Sequence, residues 1–116
     1  ALDFVTFYRD INTMLDDVVV LVCTEFGRTV LENGSFGTVH GHGGAWFAFG
    51  GTAQPGVAPD VTSLDQRDGN YMPNVVDYRD MVAEIMVRHM SMPENLVSTI
   101  FPGHSFANRN LFSALS

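Results

Sequence analysis

Hydrophobic positions in this chain follow two rhythms, separated by long polar and glycine-rich stretches. Between residues 3 and 15, Phe4, Phe7, Tyr8, Ile11, Met14 and Leu15 recur at steps of three and four. This spacing predicts an amphipathic helix, with Asp3 as N-cap and Asp16-Asp17 as its stop. Six consecutive apolar residues follow, Val18 to Cys23. So short a run suits a buried strand, particularly a parallel one covered on both faces. A second run, Ala45-Trp46-Phe47-Ala48-Phe49, predicts another strand, closed by Gly50-Gly51.

The clearest periodicity comes later. Tyr78, Met81, Val82, Ile85, Met86, His89 and Met90 mark the stripe of a helix that ends at Met92-Pro93. Asn74 offers its N-cap, and Asp77 falls in the first turn, favourable against the helix dipole. Residues 94–97 suggest a further helical turn, and 99–101 a short strand before Pro102-Gly103. From 104 onward the pattern weakens, and the tail is expected to fray.

These elements predict an α/β fold: a partial, mainly parallel sheet with packed helices. The stretch 24–44 connects the two apolar runs and holds five glycines before Gly44. Asn33-Gly34 is a strong turn signal there. The plain reading is a hairpin or long loop that uses glycine for positive φ. Residues 52–72 include Pro55, Gly56, Pro59, Asp60, Asp65, Asp68, Gly69 and Asn70 and read as loop. Loops so long are uncommon in a compact domain. This one suits a lid, or a segment resting on something outside the chain.

Composition narrows the function classes. The 116 residues fit one domain, and 46% hydrophobic with 16% charged residues excludes a disordered polyampholyte. Net charge is −7, with six arginines and no lysine. That balance argues against a nucleic-acid partner, whose phosphate backbone calls for a basic surface, and suits a site that attracts cations. No apolar stretch is long enough to span a bilayer, and no cleavable leader opens the chain. The chain begins without Met, as a processed protein or a fragment would. Cys23, the only cysteine, allows no intrachain disulfide. Inside an apolar run it reads as a small packed hydrophobe rather than a reactive thiol.

In open α/β sheets, ligands bind beyond the carboxyl ends of strands, which directs attention to 24–44. Glu25 can serve as a metal ligand or an acid–base group, or be an exposed or Arg28-paired glutamate. Arg28 can hold an anionic group through its planar fork, or form an ordinary ion pair. His40 and His42 share a face if the segment is extended, and two imidazoles so placed can ligate zinc or a similar ion. Zinc sites need three or four ligands, so H-x-H alone is a weak signal, and Glu25 and Asn33 on the same loop strengthen it. His89 reads as a packed histidine near a helix C-terminus. Trp46 and Tyr78 read as core, and Asp65 and Asp68 as solvated loop carboxylates. His104 carries no assignment. There is no P-loop, dinucleotide fingerprint or nucleophile elbow.

The strings VVVLVCTEFGRTVLENGS, GTVHGHGG, VVDYRDMVAEIMVRHM and IFPG resemble the C-terminal part of domain-of-unknown-function family 1501. Its members are sulfatase-like proteins of the alkaline phosphatase superfamily. The resemblance covers residues 1–103 and leaves 104–116 as a weakly patterned tail. It implies an α/β sandwich and cleavage of phosphate or sulfate esters with divalent metals (zinc, calcium, magnesium or manganese). By position, Glu25 would match the carboxylate ligand and His40 the later histidine ligand, with His42 a further candidate. Arg28 and Asn33 match motif residues and are assigned to substrate. The implied partners are the N-terminal part of a longer parent, carrying the nucleophile, and a small ester or carbohydrate substrate. Periplasmic or secreted location is implied too.

Two features depart from the family pattern. Val39 stands where the family has Asp before the histidine. Family members are also several-fold longer. The expectation is therefore a hydrolase segment inactive by itself. The alternative is a non-catalytic module whose glycine-rich loop binds a carbohydrate or protein. As a segment, it should leave a sheet edge or an apolar face open.

Overall fold

A computed structural model describes residues 2–57 and 64–115 of the chain. Pro59 and Asp60 of the long loop lie outside them. Helix α1 spans Leu2–Asp10, and a single 3-10 turn, Asn12–Met14, carries on from it. Asp3 sits inside the first turn rather than capping it. The two apolar runs form strands as expected but shorter, β1 at Val20–Val22 and β4 at Phe47–Phe49. Between them lie β2, Gly27–Arg28, and β3, His40–Gly41. Phe4 and Tyr8 of α1 lay their rings against Phe49, at 6.2 and 6.3 Å between centroids.

The expected parallel sheet is not what forms. β1 pairs with β4 antiparallel, Val20 opposite Phe49 and Val22 opposite Phe47. β2 pairs with β3 antiparallel, Gly27 opposite Gly41 and Arg28 opposite His40. The reason lies in the connection. A parallel neighbour needs a crossover, usually a helix, of a dozen residues or more. Residues 24–44 contain no helix and fold back on themselves, so the second apolar run returns beside the first in the opposite sense. β1 is half-buried, not fully covered. Cys23 at its end is exposed, which corrects its reading as a packed hydrophobe.

Helix α2 spans Tyr78–Glu84 and widens into a π-helical turn over Ile85–His89. Its cap is Asp77, whose side chain accepts from the Arg79 backbone N–H at 2.9 Å, so neither Asn74 nor the first turn holds that role. The Arg79 side chain folds back on the same carboxylate at 2.9 and 2.6 Å. Ser91, at φ +55°, takes the left-handed position that usually falls to glycine, and the Met92 N–H closes the helix on the Met86 carbonyl at 2.9 Å. After a 3-10 turn at Glu94–Leu96 comes α3, Val97–Ile100. The short strand expected at 99–101 is therefore helical in most of its length.

α2 is buried on an unexpected side. Its fully buried residues are Asp80, Ala83 and Glu84, at successive three- and one-residue steps on one face. Along the apolar stripe, Tyr78 and Met90 are exposed, and Tyr78 is no core residue. Trp46 is half-buried and donates its indole N–H to the Thr24 carbonyl at 3.1 Å. What covers the Asp80–Glu84 face is the tail. Asp80 Oδ1 lies 2.7 Å from His104 Nε2 and accepts from the Ala107 N–H at 3.0 Å. Asp80 Oδ2 accepts from Arg109 Nε at 3.3 Å. Glu84 accepts from the backbone N–H of Arg109 and of Phe112, both at 2.9 Å. Residues 104–115 do not fray: two buried carboxylates hold them to the helix. On the tail's other side, Ala53 and Phe112 form an antiparallel bridge.

Acid should loosen this clasp. Asp77 is held at about 2, below its ordinary 3.8, first by the Arg79 side-chain hydrogen bond and against the opposing effect of burial. For Asp80, burial pushes the carboxyl up, but the Ala107 amide, His104 and Arg109 together outweigh it and hold it below 3.8. A carboxylate with a lowered folded-state pKa contributes stability above its unfolded value, and the contribution is lost as pH falls through the folded value. Stability should thus be level above roughly pH 4 and fall toward pH 2. Asp77 is a third exposed and partly screened by solvent, so Asp80 should contribute beside it. Urea midpoints across that range, in the wild type and in Asp80→Asn, check it. The variant should show the shallower acid dependence.

Among the described residues only Ala83, Val97 and Phe112 are buried apolar side chains. The Cα radius of gyration, 16.5 Å, exceeds the roughly 13 Å of a compact domain this long. Phe4, Phe7 and Tyr8 of α1, with Phe47, Tyr78 and Met90, leave apolar surface open.

Candidate functional site

The β2–β3 hairpin carries the candidate residues. The glycines of 24–44 do not serve positive φ as expected, since none of them adopts it. They allow backbones to touch. A Cβ on Gly27 would fall inside the Gly43 carbonyl, and one on Gly41 would sit 2.5 Å from the Arg28 carbonyl. Behind the hairpin, residues 70–73 hold its two arms. The Val30 N–H donates to the Asn70 carbonyl at 3.0 Å, the Leu31 N–H to Asn70 Oδ1 at 2.6 Å, and the Gly43 N–H to the Met72 carbonyl at 3.0 Å. Buried Thr29 ties the arms together, its N–H donating to the Val39 carbonyl at 3.1 Å and its hydroxyl accepting the Val39 N–H at 3.2 Å. Val39 thus contributes its backbone, and its side chain is exposed.

This frame sets Arg28 directly across from His40. Arg28 donates from Nε to Thr38 Oγ1 at 3.0 Å and from its terminal nitrogen to the Thr38 carbonyl. Among the described residues no carboxylate pairs with it, so the ion-pair reading finds no partner among them. The His40 ring stacks on Phe26, 3.8 Å between centroids, and the His42 ring on Tyr71 at 4.5 Å and 11°. Both imidazoles are exposed, and their ring nitrogens bond to nothing among the described residues. Glu25 sits at an exposed bend before Phe26, likewise without an ion pair or hydrogen bond among them. Asn33 is engaged within its own turn, its Oδ1 accepting the N–H of Ser35 at 2.9 Å and of Gly37 at 3.2 Å.

The structure therefore brings Arg28 and His40 together and stations His42 on the next aromatic ring. It brings no three metal-ligating side chains together: among the described residues no group of three or more His, Cys, Asp or Glu can hold a metal ion. Since a zinc site takes three or four ligands, these residues do not by themselves fit one.

His89 keeps its structural reading. Its Nε2 lies 3.1 Å from the Asp17 carbonyl and its Nδ1 3.4 Å from Thr52 Oγ1, linking α2 to the turns beside β1 and β4. Sequence reasoning missed His104 and Arg109. The available signal was two acidic residues four apart on a largely apolar helix, which need donors when buried.

A family model described as a protein of unknown function, DUF1501, matches residues 4–104. The chain belongs to the DUF1501 family. The match takes in α1, the hairpin, α2 and α3, and stops at His104, so the clasped tail is outside it. No curated protein and no solved structure matches the chain. No described helix is long and apolar enough to cross a membrane.

Proposed function

We propose that this DUF1501 chain is one segment of a sulfatase-like, metal-dependent phosphate or sulfate ester hydrolase. On this reading it contributes Arg28 to an anionic ester group and offers candidate ligands among Glu25, His40 and His42, which do not converge as a set of three, to a site completed by residues outside the chain. The observation that carries the proposal is the register of the hairpin. It sets an arginine that has no carboxylate partner among the described residues beside an imidazole whose nitrogens bond to none of them. A guanidinium so placed suits a multi-oxygen anion such as a phosphate or sulfate ester, through the donors that Thr38 leaves over. The open apolar surface of α1, β4 and α2 supports the reading of a segment that packs against further chain. A bound divalent ion would supply charge stabilisation and an activated nucleophile. The chain's own part is to place the anion contact and the free imidazoles. Asn33 shapes the turn behind them.

By itself the chain should show no metal-dependent turnover of aryl phosphates or aryl sulfates with zinc, manganese or calcium. Robust turnover would mean the site is complete within these residues and would overturn the segment reading. Calorimetric titration with zinc separates the alternatives. Weak binding abolished by His40→Ala supports the hydrolase segment. Absence of any zinc heat favours a non-catalytic module, in which Phe26, Tyr71 and the 90% exposed Phe36 would meet a carbohydrate or protein partner.

A further inference from the structure

The turn at residues 33–37 holds the chain's one Asn-Gly pair. Asn33, Gly34, Ser35 and Phe36 are all exposed, and Phe36 sits at φ +58°. The backbone closes on itself through the Asn33 N–H to the Gly37 carbonyl at 2.7 Å and the Phe36 N–H to the Asn33 carbonyl at 3.2 Å. Two further amides, of Ser35 and Gly37, both point at Asn33 Oδ1. Gly34 differs from them: its N–H donates to no partner among the described residues, and a Cβ built there would meet nothing within 4 Å.

We infer that Asn33 is a site of self-modification, where the Gly34 amide nitrogen closes on the Asn33 side chain and converts it to a carboxylate. The step is an acyl transfer. The Gly34 nitrogen loses its proton to water or hydroxide and forms a bond to Asn33 Cγ. Charge builds on Oδ1 as the carbonyl becomes tetrahedral. The Cγ–Nδ2 bond then breaks, and ammonia leaves with a proton from solvent, giving a five-membered imide. Water adds to either imide carbonyl and opens the ring to aspartate or isoaspartate. The net reaction consumes one water and releases ammonium. No oxidant or metal is needed.

Three features of the turn favour it. Two backbone N–H groups already aimed at Oδ1 stabilise the oxygen on which negative charge develops, as an oxyanion hole does. The attacking nitrogen has no hydrogen bond to surrender before it loses its proton. Glycine leaves the approach to Cγ open, and a bonded turn keeps nucleophile and carbonyl neighbours instead of letting them diffuse through the coil ensemble. The other asparagines precede Thr13, Tyr71, Val75, Leu96, Arg109 and Leu111, side chains that crowd the attacking nitrogen. Conversion adds a negative charge on the connection between Arg28 and His40. The isoaspartate product also lengthens the backbone inside the turn.

Folding commonly protects asparagine by holding the chain away from the cyclising geometry, and here the turn should do the reverse. The test incubates the folded protein at mildly alkaline pH and body temperature, beside the same chain unfolded in urea. Peptide mapping by mass spectrometry follows amide-to-acid conversion at each asparagine. Asn33 should convert in the folded protein at least as fast as in urea, faster at higher pH, and ahead of every other asparagine. Gly34→Ala has room for its methyl group and should fold normally, yet slow conversion by roughly tenfold or more, the scale on which misorientation of reacting atoms acts. If Asn33 survives in the folded protein while the urea-treated chain converts, the turn protects the residue and the inference is wrong. Equal rates at Asn33 in Gly34→Ala and wild type would overturn it as well.

Discussion

Replacing Glu84 with alanine should destabilise the chain by about 3–5 kcal/mol and free the tail from α2. Glu84 is fully buried, and both its carboxylate oxygens accept backbone N–H groups of the tail, from Arg109 and Phe112. Alanine leaves two donors without acceptors in a dry place, at about 1–3 kcal/mol each, and opens a void beside them. Phe112 is one of three buried apolar side chains among the described residues, so losing its seat removes a large share of the core they form. Glu84→Gln keeps one acceptor oxygen but turns an NH2 toward the other backbone donor, and should fall between wild type and alanine. Urea midpoints measure the loss. Hydrogen exchange at the Arg109 and Phe112 amides reports whether the tail has left. Protected amides in Glu84→Ala would mean that something other than this carboxylate holds the tail.

That clasp also marks where the sequence stops being readable. α1 and the helix at 78–90 stand out because their apolar residues recur at three- and four-residue steps, although α1 leaves that stripe exposed and α2 buries its Asp80–Glu84 side instead. β1 and β4 stand out as apolar runs, but nothing within a run tells which neighbour it takes or in which sense. That depended on whether 24–44 crossed over or folded back, and backbone contacts among glycines decided it. The buried face of α2 is illegible for a different reason. Asp80 and Glu84 look like surface residues, and their partners are mostly tail N–H groups, which every residue but proline carries. A segment held by its own backbone needs no pattern of side chains. The reading of the candidate site has the same character. H-x-H and the glutamate after the first strand named residues on one loop, and the register that sets Arg28 against His40 came only with the fold.

Gly27→Ala should cost about 3 kcal/mol, a large penalty for one methyl group on a two-residue strand. The methyl would overlap the Gly43 carbonyl, and Gly43 is itself anchored through its N–H, which donates to the Met72 carbonyl. Backbone cannot rotate aside as a side-chain end can, so the arms must part. Parting them pulls the Gly27–Gly41 pair open, takes Phe26 off the His40 ring, and moves Arg28 away from His40. Gly34→Ala supplies the contrast within one hairpin. Its methyl meets open space, and its effect should stay within about 0.5 kcal/mol. Thermal midpoints of the two variants, with near-ultraviolet circular dichroism to report the aromatic stacks, decide the matter. Equal tolerance at both positions would mean that the arms do not touch at Gly27. The placement of Arg28 beside His40 would then need some other support, because few of the described buried side chains lie beneath this hairpin to hold it: the close backbone approach is what sets two separate loop residues side by side.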